Sequence, residues 1–328
     1  MLTNYIIREY LKNNGINNDY YQLFSLCVKN HHSFINNPIH DFYIEKNQDI
    51  LKEQFDALNI DFINGILEEN NLPTIKGDFS DILECFNELE DIYDELEYEE
   101  DNLKYEFYFL YMYLFSLLIS SDKEDAIFRD KKINTNPTIP NSIEEYIKNF
   151  PKRNEIDYLR TKMFFEVAKK VDEINLEHKI YSLNAPTGMG KTLAIFNFAL
   201  KLANKIKSEI GIEMKIIYCL PFLSIIDQNY KVLDEVLSEI LDKPVSSDIL
   251  LKHHHLSEVS YKLDENEENV LEEDKSLHLI ETWNSKIITT TFMQLFYTIF
   301  SNKNKNLKKI PRIKQFNNYL RRNTSNSL

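Results

Sequence analysis

The sequence predicts a helical N-terminal domain followed by an α/β domain built on a parallel sheet. Residues 1 to about 130 place Leu, Ile, Phe and Tyr at spacings of three and four, the period of amphipathic helices. Further along, short apolar strands alternate with helical segments, which favours a parallel sheet covered by helices. At one strand-to-helix junction, two of the chain's six glycines precede a Lys-Thr pair, and this predicts a phosphate-binding loop.

Breaks in this pattern set the predicted domain limits. Residues 1–130 form the helical domain, 131–150 a linker that contains two prolines, and 151–301 the α/β domain. Residues 302–328 are basic and rich in Asn and Ser, which predicts a disordered tail. Within the α/β domain the predicted strands are 180–183, 214–220 and 286–290, and the helices that follow them are 192–207, 224–240 and 292–300.

The predicted phosphate loop joins strand 180–183 to helix 192–207. Backbone N–H groups at a helix N-terminus, together with the helix dipole, favour a bound polyphosphate. In this pattern Lys191 reaches the β- and γ-phosphates of ATP, and the Thr192 hydroxyl binds Mg²⁺. Gly188 and Gly190 allow a tight turn with no Cβ against the ligand. The loop residues are Ala185, Pro186, Thr187, Gly188, Met189, Gly190, Lys191 and Thr192.

Charge is distributed unevenly along the chain. The net charge is −14, yet eleven of the twenty-one residues 81–101 are acidic, whereas residues 282–328 contain nine Lys or Arg and no acid. Whole-chain charge is therefore a poor guide to partners. The three cysteines are too few and too scattered for a disulfide framework, and no apolar run approaches eighteen residues. We expect a cytoplasmic protein that does not enter a membrane.

Three segments follow one another in fixed order: the loop 185–192, the segment 216–228 (IIYCLPFLSIIDQ) and the segment 287–296 (IITTTFMQLF). Together they resemble the helicase domain of the CRISPR-associated helicase-nuclease of type I interference systems. Ala185, where the general loop pattern has Gly, is typical of DExD/H-box helicases. The resemblance implies a RecA-like domain that uses ATP and Mg²⁺. It also implies contacts to the phosphates of single-stranded DNA at the carboxyl edge of the sheet, through Pro221, Ser224, Thr290 and Thr291.

The same family carries a helical HD-type nuclease domain before the helicase. His31 and His32 resemble its paired histidines, and Asp122 resembles its last Asp ligand. The resemblance implies that these residues bind a divalent transition metal, whose identity the sequence does not give. Adjacent histidines on a helix lie about 100° apart, so they would serve two metal ions better than one.

Two features of the family pattern are missing from this chain. No His-Asp pair precedes His31, and no apolar strand ending in Asp-Glu follows the segment 287–296. We therefore expect a partial HD-type domain and an incomplete RecA-like domain, truncated at both ends, that binds ATP but hydrolyses it poorly.

The resemblance implies a fragment of an ATP-dependent DNA helicase with a metal-dependent single-stranded DNA nuclease, acting in antiviral defence beside a guide-RNA surveillance complex. One alternative is a non-catalytic module that holds nucleotide or single-stranded DNA, which ATP turnover would exclude. Another is a DExD/H-box RNA helicase with a helical extension, which stimulation by RNA instead of DNA would favour.

Overall fold

The computed structural model describes residues 2–16, 19–32, 48–85, 101–128, 137–254 and 273–313. Residues 79–85 are also helical, and short 3₁₀ turns cover Val171–Glu173 and Ile310–Arg312. The α-helices are α1 Leu2–Asn13, α2 Asp19–Asn30, α3 Gln48–Asp56, α4 Ile60–Glu69, α5 Asp101–Phe128, α6 Glu144–Lys148, α7 Glu155–Lys170, α8 Lys191–Ile210, α9 Leu223–Leu241, α10 Glu273–Glu281, α11 Phe292–Phe300 and α12 Asn304–Leu307. The strands are β1 Ile216–Leu220, β2 Leu250–His253 and β3 Ile287–Thr291.

The chain divides into two compact units. Unit 1 comprises Met1–Lys123 and Ser301–Pro311, and unit 2 comprises Glu124–Phe300 and Arg312–Leu328. The division falls inside α5, a few residues before the predicted limit at 130. No helix in the described ranges combines the length and apolar character needed to cross a bilayer.

The regular structure described in unit 1 is helical, as the spacing of its apolar residues predicts. One core joins α2, α5 and the segment 301–311, through side chains such as Leu26, Phe115 and Leu307. Leu307 is fully buried in this core. The segment 302–311 therefore packs as part of unit 1, which differs from the predicted disordered tail, because Leu307 and Ile310 supply the apolar anchors that a tail lacks. Residues 314–328 of that tail lie outside the described ranges.

A three-stranded parallel sheet forms the centre of unit 2. The strand order is β1-β3-β2, with Ile287 of β3 opposite Ile216 on one side and Leu250 on the other. Successive residues alternate between two cores: Ile287 belongs to a core with α7, α8 and α9, whereas Ile288 belongs to a core with α10. This period-two alternation buries both faces of the sheet under helices, as the sequence predicts.

The stretch predicted as a linker is structured where it is described. Ile143 is fully buried and Ile147 nearly so, and both pack in the core beside Phe196 of α8. The backbone N–H of Ile143 also donates to Asn197 Oδ1 at 2.9 Å. Residues 137–150 therefore stabilise unit 2, because apolar residues spaced four apart give α6 a buried face. Residues 131–136 lie outside the described ranges.

The predicted buried strand 180–183 is not formed. These residues have no regular secondary structure, and Ile180 is 90% exposed. Strand formation requires a neighbouring strand to satisfy the backbone N–H and C=O groups, and no described strand pairs with this segment. An apolar run of this length predicts a strand only where such a neighbouring strand is present, and for that reason the prediction is wrong here.

Candidate functional site

Two left-handed glycines shape the phosphate loop. Gly188 has φ of +79° and Gly190 has φ of +76°, conformations that side chains with a Cβ rarely adopt. Gly190 is the N-cap of α8, no side chain caps this helix, and the first helical hydrogen bond runs from Ala194 N to Gly190 O. The N–H groups of residues 191–193 therefore have no partner within the helix and stay available for an anion.

Lys191 and Thr192 lie at the start of α8, where the sequence analysis places them. The Lys191 amine donates to the carbonyl of Ala185 at 2.8 Å, so it folds back over the loop. Thr192 lies close enough to Tyr218 of β1 to influence the pKa of that tyrosine, so this strand is near the loop. Burial raises the pKa of Tyr218 above its ordinary value, and the interaction with Thr192 lowers it by less.

These groups fit a nucleoside triphosphate with Mg²⁺. Open N–H donors, a lysine ammonium and the start of a twenty-residue helix all favour negative charge at one point. A Cβ at Gly190 would meet no heavy atom within 4 Å, so the loop has open space beside it. The residues present therefore provide what phosphate binding needs, and Thr192 supplies the hydroxyl suited to Mg²⁺.

A residue that the sequence analysis missed also contacts the loop. Arg160 of α7 donates through Nε to the carbonyl oxygen of Gly188 at 2.7 Å, and through Nη1 to Asp157 Oδ1 at 3.2 Å. The i, i+3 spacing of Asp157 and Arg160 predicts their ion pair on a helix. No sequence pattern indicates the contact between Arg160 and Gly188, because this contact depends on how α7 packs against α8.

At the carboxyl edge of the sheet, Pro221 and Ser224 are exposed as a nucleic-acid contact requires. The helix after β1 begins at Leu223, one residue before the predicted start at 224. The N-cap of α9 is Phe222, which is extended and offers no side-chain hydrogen bond, and Ser224 lies in the first turn. No side chain therefore caps the first N–H groups of α9, and the exposed Ser224 hydroxyl lies in the same turn.

The two threonines of β3 are committed to structural hydrogen bonds. Thr290 is fully buried, and its hydroxyl donates to the carbonyl of His253 at 2.7 Å. Thr291 is half-buried, and its hydroxyl accepts from Gln294 N at 3.1 Å, which caps α11. Thr290, for which the resemblance implies a DNA contact, thus uses its hydroxyl in a hydrogen bond within the described sheet, where β3 is the central strand.

Next to Thr290, the end of β2 carries a group of charged and aromatic side chains. Lys252 pairs with Asp227 of α9 at 2.9 Å, and this hydrogen bond is the main cause that lowers the pKa of Asp227. His253 Nδ1 accepts from Trp283 Nε1 at 2.7 Å. The structure forms strand β2 here as far as His253, a strand that is not among those predicted from the sequence.

In unit 1, the structure describes all three predicted metal ligands without assembling them into a site. His31 and His32 follow the end of α2 with ring centroids 3.7 Å apart, and Asp122 is exposed on α5. His31 Nδ1 lies 2.5 Å from the carbonyl of Val28. Since a carbonyl only accepts, this bond fixes the proton on Nδ1 and leaves the Nε2 lone pair for a ligand. The described residues include no group of three or more potential metal ligands.

Comparisons with known proteins agree with the geometry of the phosphate loop. Residues 166–313 match the family model for DEAD/DEAH box helicases. The chain is also similar to the CRISPR-associated nuclease/helicase Cas3 of Haloferax volcanii, with 32% identity over 130 residues. That alignment covers 38% of this chain and 14% of the relative's length. The match to the helicase family model begins in α7 and includes the phosphate loop and all three described strands.

Proposed function

We propose that this chain is part of a CRISPR-associated, ATP-dependent DNA helicase that acts in antiviral defence. ATP and Mg²⁺ bind at residues 185–192, and single-stranded DNA lies along the carboxyl edge of the sheet near Pro221 and Ser224. A guide-RNA surveillance complex supplies the DNA. The likeness to Cas3 supports the CRISPR association, and the match to the DEAD/DEAH box helicase family model supports the use of ATP.

The uncapped start of α8 is the observation that carries this proposal. Its first N–H groups, the folded-back Lys191 amine and the left-handed Gly190 converge beside open space. Thr192, the residue that suits Mg²⁺, lies near Tyr218 of β1, which places the proposed metal site close to the sheet. The exposed start of α9 follows β1 directly and offers a second set of N–H donors for DNA phosphates.

Titration of the purified chain with a fluorescent ATP analogue, in the presence of Mg²⁺, tests the nucleotide site. Lys191→Ala should weaken binding roughly tenfold to a hundredfold, because charge-assisted hydrogen bonds to phosphate contribute about 1.5–3 kcal/mol. Lys162→Ala, which removes an exposed lysine of α7, is the matched control and should bind as the wild type does. Equal affinity in wild type and Lys191→Ala would contradict the proposal.

A non-catalytic nucleotide-binding module remains the second candidate, and one observation favours it. Among the described strands, none is followed at its carboxyl end by a carboxylate: the next residues are Pro221, His254 and Phe292. ATP hydrolysis in motors of this kind uses a carboxylate to position the attacking water. ATP turnover that rises with single-stranded DNA supports the helicase, whereas saturable binding without product supports the module. Stimulation by RNA of equal length instead of DNA would favour an RNA helicase.

We also propose, from the resemblance, that His31, His32 and Asp122 belong to the divalent-metal site of an HD-type nuclease. The free Nε2 of His31 and the exposed ring of His32 support this, since neutral imidazole is a common metal ligand. Calorimetric titration with Mn²⁺ should detect binding in the wild type and lose it in a His31→Ala, His32→Ala double variant. Unchanged binding in that variant would exclude these histidines.

A further inference from the structure

Arg160 holds one peptide group of the phosphate loop. Its Nε–H donates at 2.7 Å to the carbonyl oxygen of Gly188, which is the carbonyl of the peptide that joins Gly188 to Met189. In a trans peptide the C=O and the N–H point in opposite directions. Fixing the Gly188 carbonyl toward α7 therefore aims the Met189 N–H away from α7.

The peptide that Arg160 holds is one that can otherwise rotate. Gly188 has φ of +79°, in a region that glycine enters and leaves at low cost. Because glycine has no Cβ, its ψ angle is also little restricted, and ψ sets the direction of the C=O and N–H of the next peptide. The Met189 N–H can therefore point in more than one direction unless another contact fixes it. An external hydrogen bond to the carbonyl selects one direction before the ligand arrives, which is preorganisation.

The guanidinium is itself positioned by its own helix. Its Nη1 donates to Asp157 Oδ1, and Asp157 Oδ2 accepts from the backbone N–H of Arg153. Asn154 caps the same turn by accepting from Asp157 N at 2.9 Å. Apart from its contact with Arg160, Asp157 is thus held at two points, so it orients Arg160 from a fixed place.

Helix α7 is in turn tied to the helix that the loop begins. Phe164 of α7 packs in one core with Phe196 and Leu200 of α8. Near the other end, the Lys205 amine of α8 donates to the carbonyls of Val171, Asp172 and Ile174 at 3.0–3.2 Å. The two helices are therefore held together at several points, and Arg160 extends this contact to Gly188 in the loop.

We propose that Arg160 is a positioning residue of the nucleotide site, which acts on phosphate affinity by fixing the Gly188–Met189 peptide and without contacting the base or ribose. This inference rests on the proposed ATP-binding function. It assigns to α7, which lies outside the sequence motifs, control over how the loop binds phosphate.

Competition titrations with two ligands test this on the full chain. ATP and inorganic tripolyphosphate share the phosphates, and only ATP has a base and ribose. Arg160→Ala should weaken both about fivefold to twentyfold, and by the same factor, because the loss of one charge-assisted hydrogen bond affects only phosphate binding. Arg160→Lys should fall between wild type and Arg160→Ala, since an ammonium can donate to Gly188 but cannot also hold Asp157 as a planar fork does.

Two controls separate positioning from folding. The side chain of Arg160 is 46% exposed, so the melting temperature of Arg160→Ala without ligand should match the wild type, while the shift produced by tripolyphosphate shrinks. Arg153→Ala removes a neighbouring exposed arginine whose backbone alone takes part, and it should leave both affinities unchanged.

Each other outcome has a defined meaning. Loss of ATP affinity with unchanged tripolyphosphate affinity would place Arg160 on the base or ribose and overturn the inference. Wild-type affinity for both ligands in Arg160→Ala, with Lys191→Ala still impaired, would also overturn it while leaving the proposed function intact. If wild type and Lys191→Ala bind neither ligand, the proposed function fails and this inference fails with it.

Discussion

Trp283 donates its indole N–H to His253 Nδ1 at 2.7 Å, and this bond joins the turn before β3 to the end of β2. Trp283 is fully buried at a left-handed φ of +54°, and its carbonyl accepts from the Lys215 amine at 2.6 Å. A large residue held in an uncommon backbone conformation persists only where its surroundings fix it on several sides. The stability of the core between α10 and the sheet therefore depends strongly on Trp283.

Trp283→Phe should destabilise the protein by about 2–4 kcal/mol, because it removes a buried hydrogen bond and leaves a cavity. Trp283 is the only tryptophan, so its emission in the wild type should lie at short wavelength and report on this core alone. Urea unfolding followed by circular dichroism compares the two proteins. Phe300→Ala, at a side chain 60% exposed, should change stability by no more than about 0.5 kcal/mol. A similar midpoint for Trp283→Phe and wild type would contradict this.

Gly190 and Gly211 make a matched pair at the two ends of α8. Their φ angles are +76° and +75°, and a Cβ would meet no heavy atom within 4 Å at either position. Alanine at each should therefore destabilise the protein by a similar amount, about 1–2 kcal/mol, from backbone strain alone. Gly190→Ala should also weaken ATP binding, since it redirects the N–H groups at the start of α8. Gly211→Ala should bind ATP normally once folded, and equal loss of binding in both variants would contradict a local role for Gly190.

The phosphate loop could be predicted from sequence because its chemistry is local. Glycines, lysine and threonine at fixed spacing before a helix specify the turn, and β1 and β3 lie within two residues of their predicted bounds. The strand predicted at 180–183 is wrong because strand formation is not local: an apolar run forms a strand only if a neighbouring strand pairs with it. Strand β2 has four residues and contains Lys252 and His253, so its apolar signal is weak.

The contacts that position the site were out of reach of sequence patterns. Arg160 lies 28 positions from Gly188, and nothing in the spacing of the two indicates that they meet. Thr290 is a second example: the resemblance implies a DNA contact, and the structure adds a hydrogen bond from its hydroxyl to the carbonyl of His253 on the neighbouring strand, which no local pattern indicates. Both cases depend on the packing of distant elements, which local propensity does not determine.

Glu213 links two lysines, and stability should depend on its charge. It contacts Lys286 at 2.9 Å and Lys207 at 3.1 Å, and the hydrogen bonds from Lys286 and then Lys207 lower its pKa in the folded state. A carboxyl with a depressed folded pKa stabilises the protein above its unfolded pKa, and this contribution is lost as pH falls through the folded value. Glu213→Gln should lower the unfolding midpoint at pH 7 and have no effect once the pH is below the folded pKa of Glu213.

Glu209→Gln is the control for that pH series. Glu209 lies 3.9 Å from Lys205 in an i, i+4 pair and is 53% exposed, so its removal should change stability little at either pH. Urea midpoints measured between pH 7 and pH 3 give both comparisons. A constant difference between wild type and Glu213→Gln across that range would show that the substitution acts through packing and not through charge.

Ser224 and Thr290 should respond differently to loss of their hydroxyls. Ser224 is exposed in the first turn of α9, so Ser224→Ala should weaken single-stranded DNA binding about twofold to tenfold, as expected for one hydrogen bond to phosphate. Thr290→Val keeps the side-chain shape but leaves the His253 carbonyl without this donor, so it should reduce stability by about 1–3 kcal/mol. Because the Thr290 hydroxyl faces packed protein, the DNA affinity of Thr290→Val should not change at temperatures well below its unfolding midpoint.

Fluorescence anisotropy at one fixed salt concentration measures the DNA affinity of both variants, since the phosphate contribution to binding varies with salt. A larger loss of DNA affinity in Thr290→Val than in Ser224→Ala would mean that β3 turns its hydroxyls toward DNA when the strand binds.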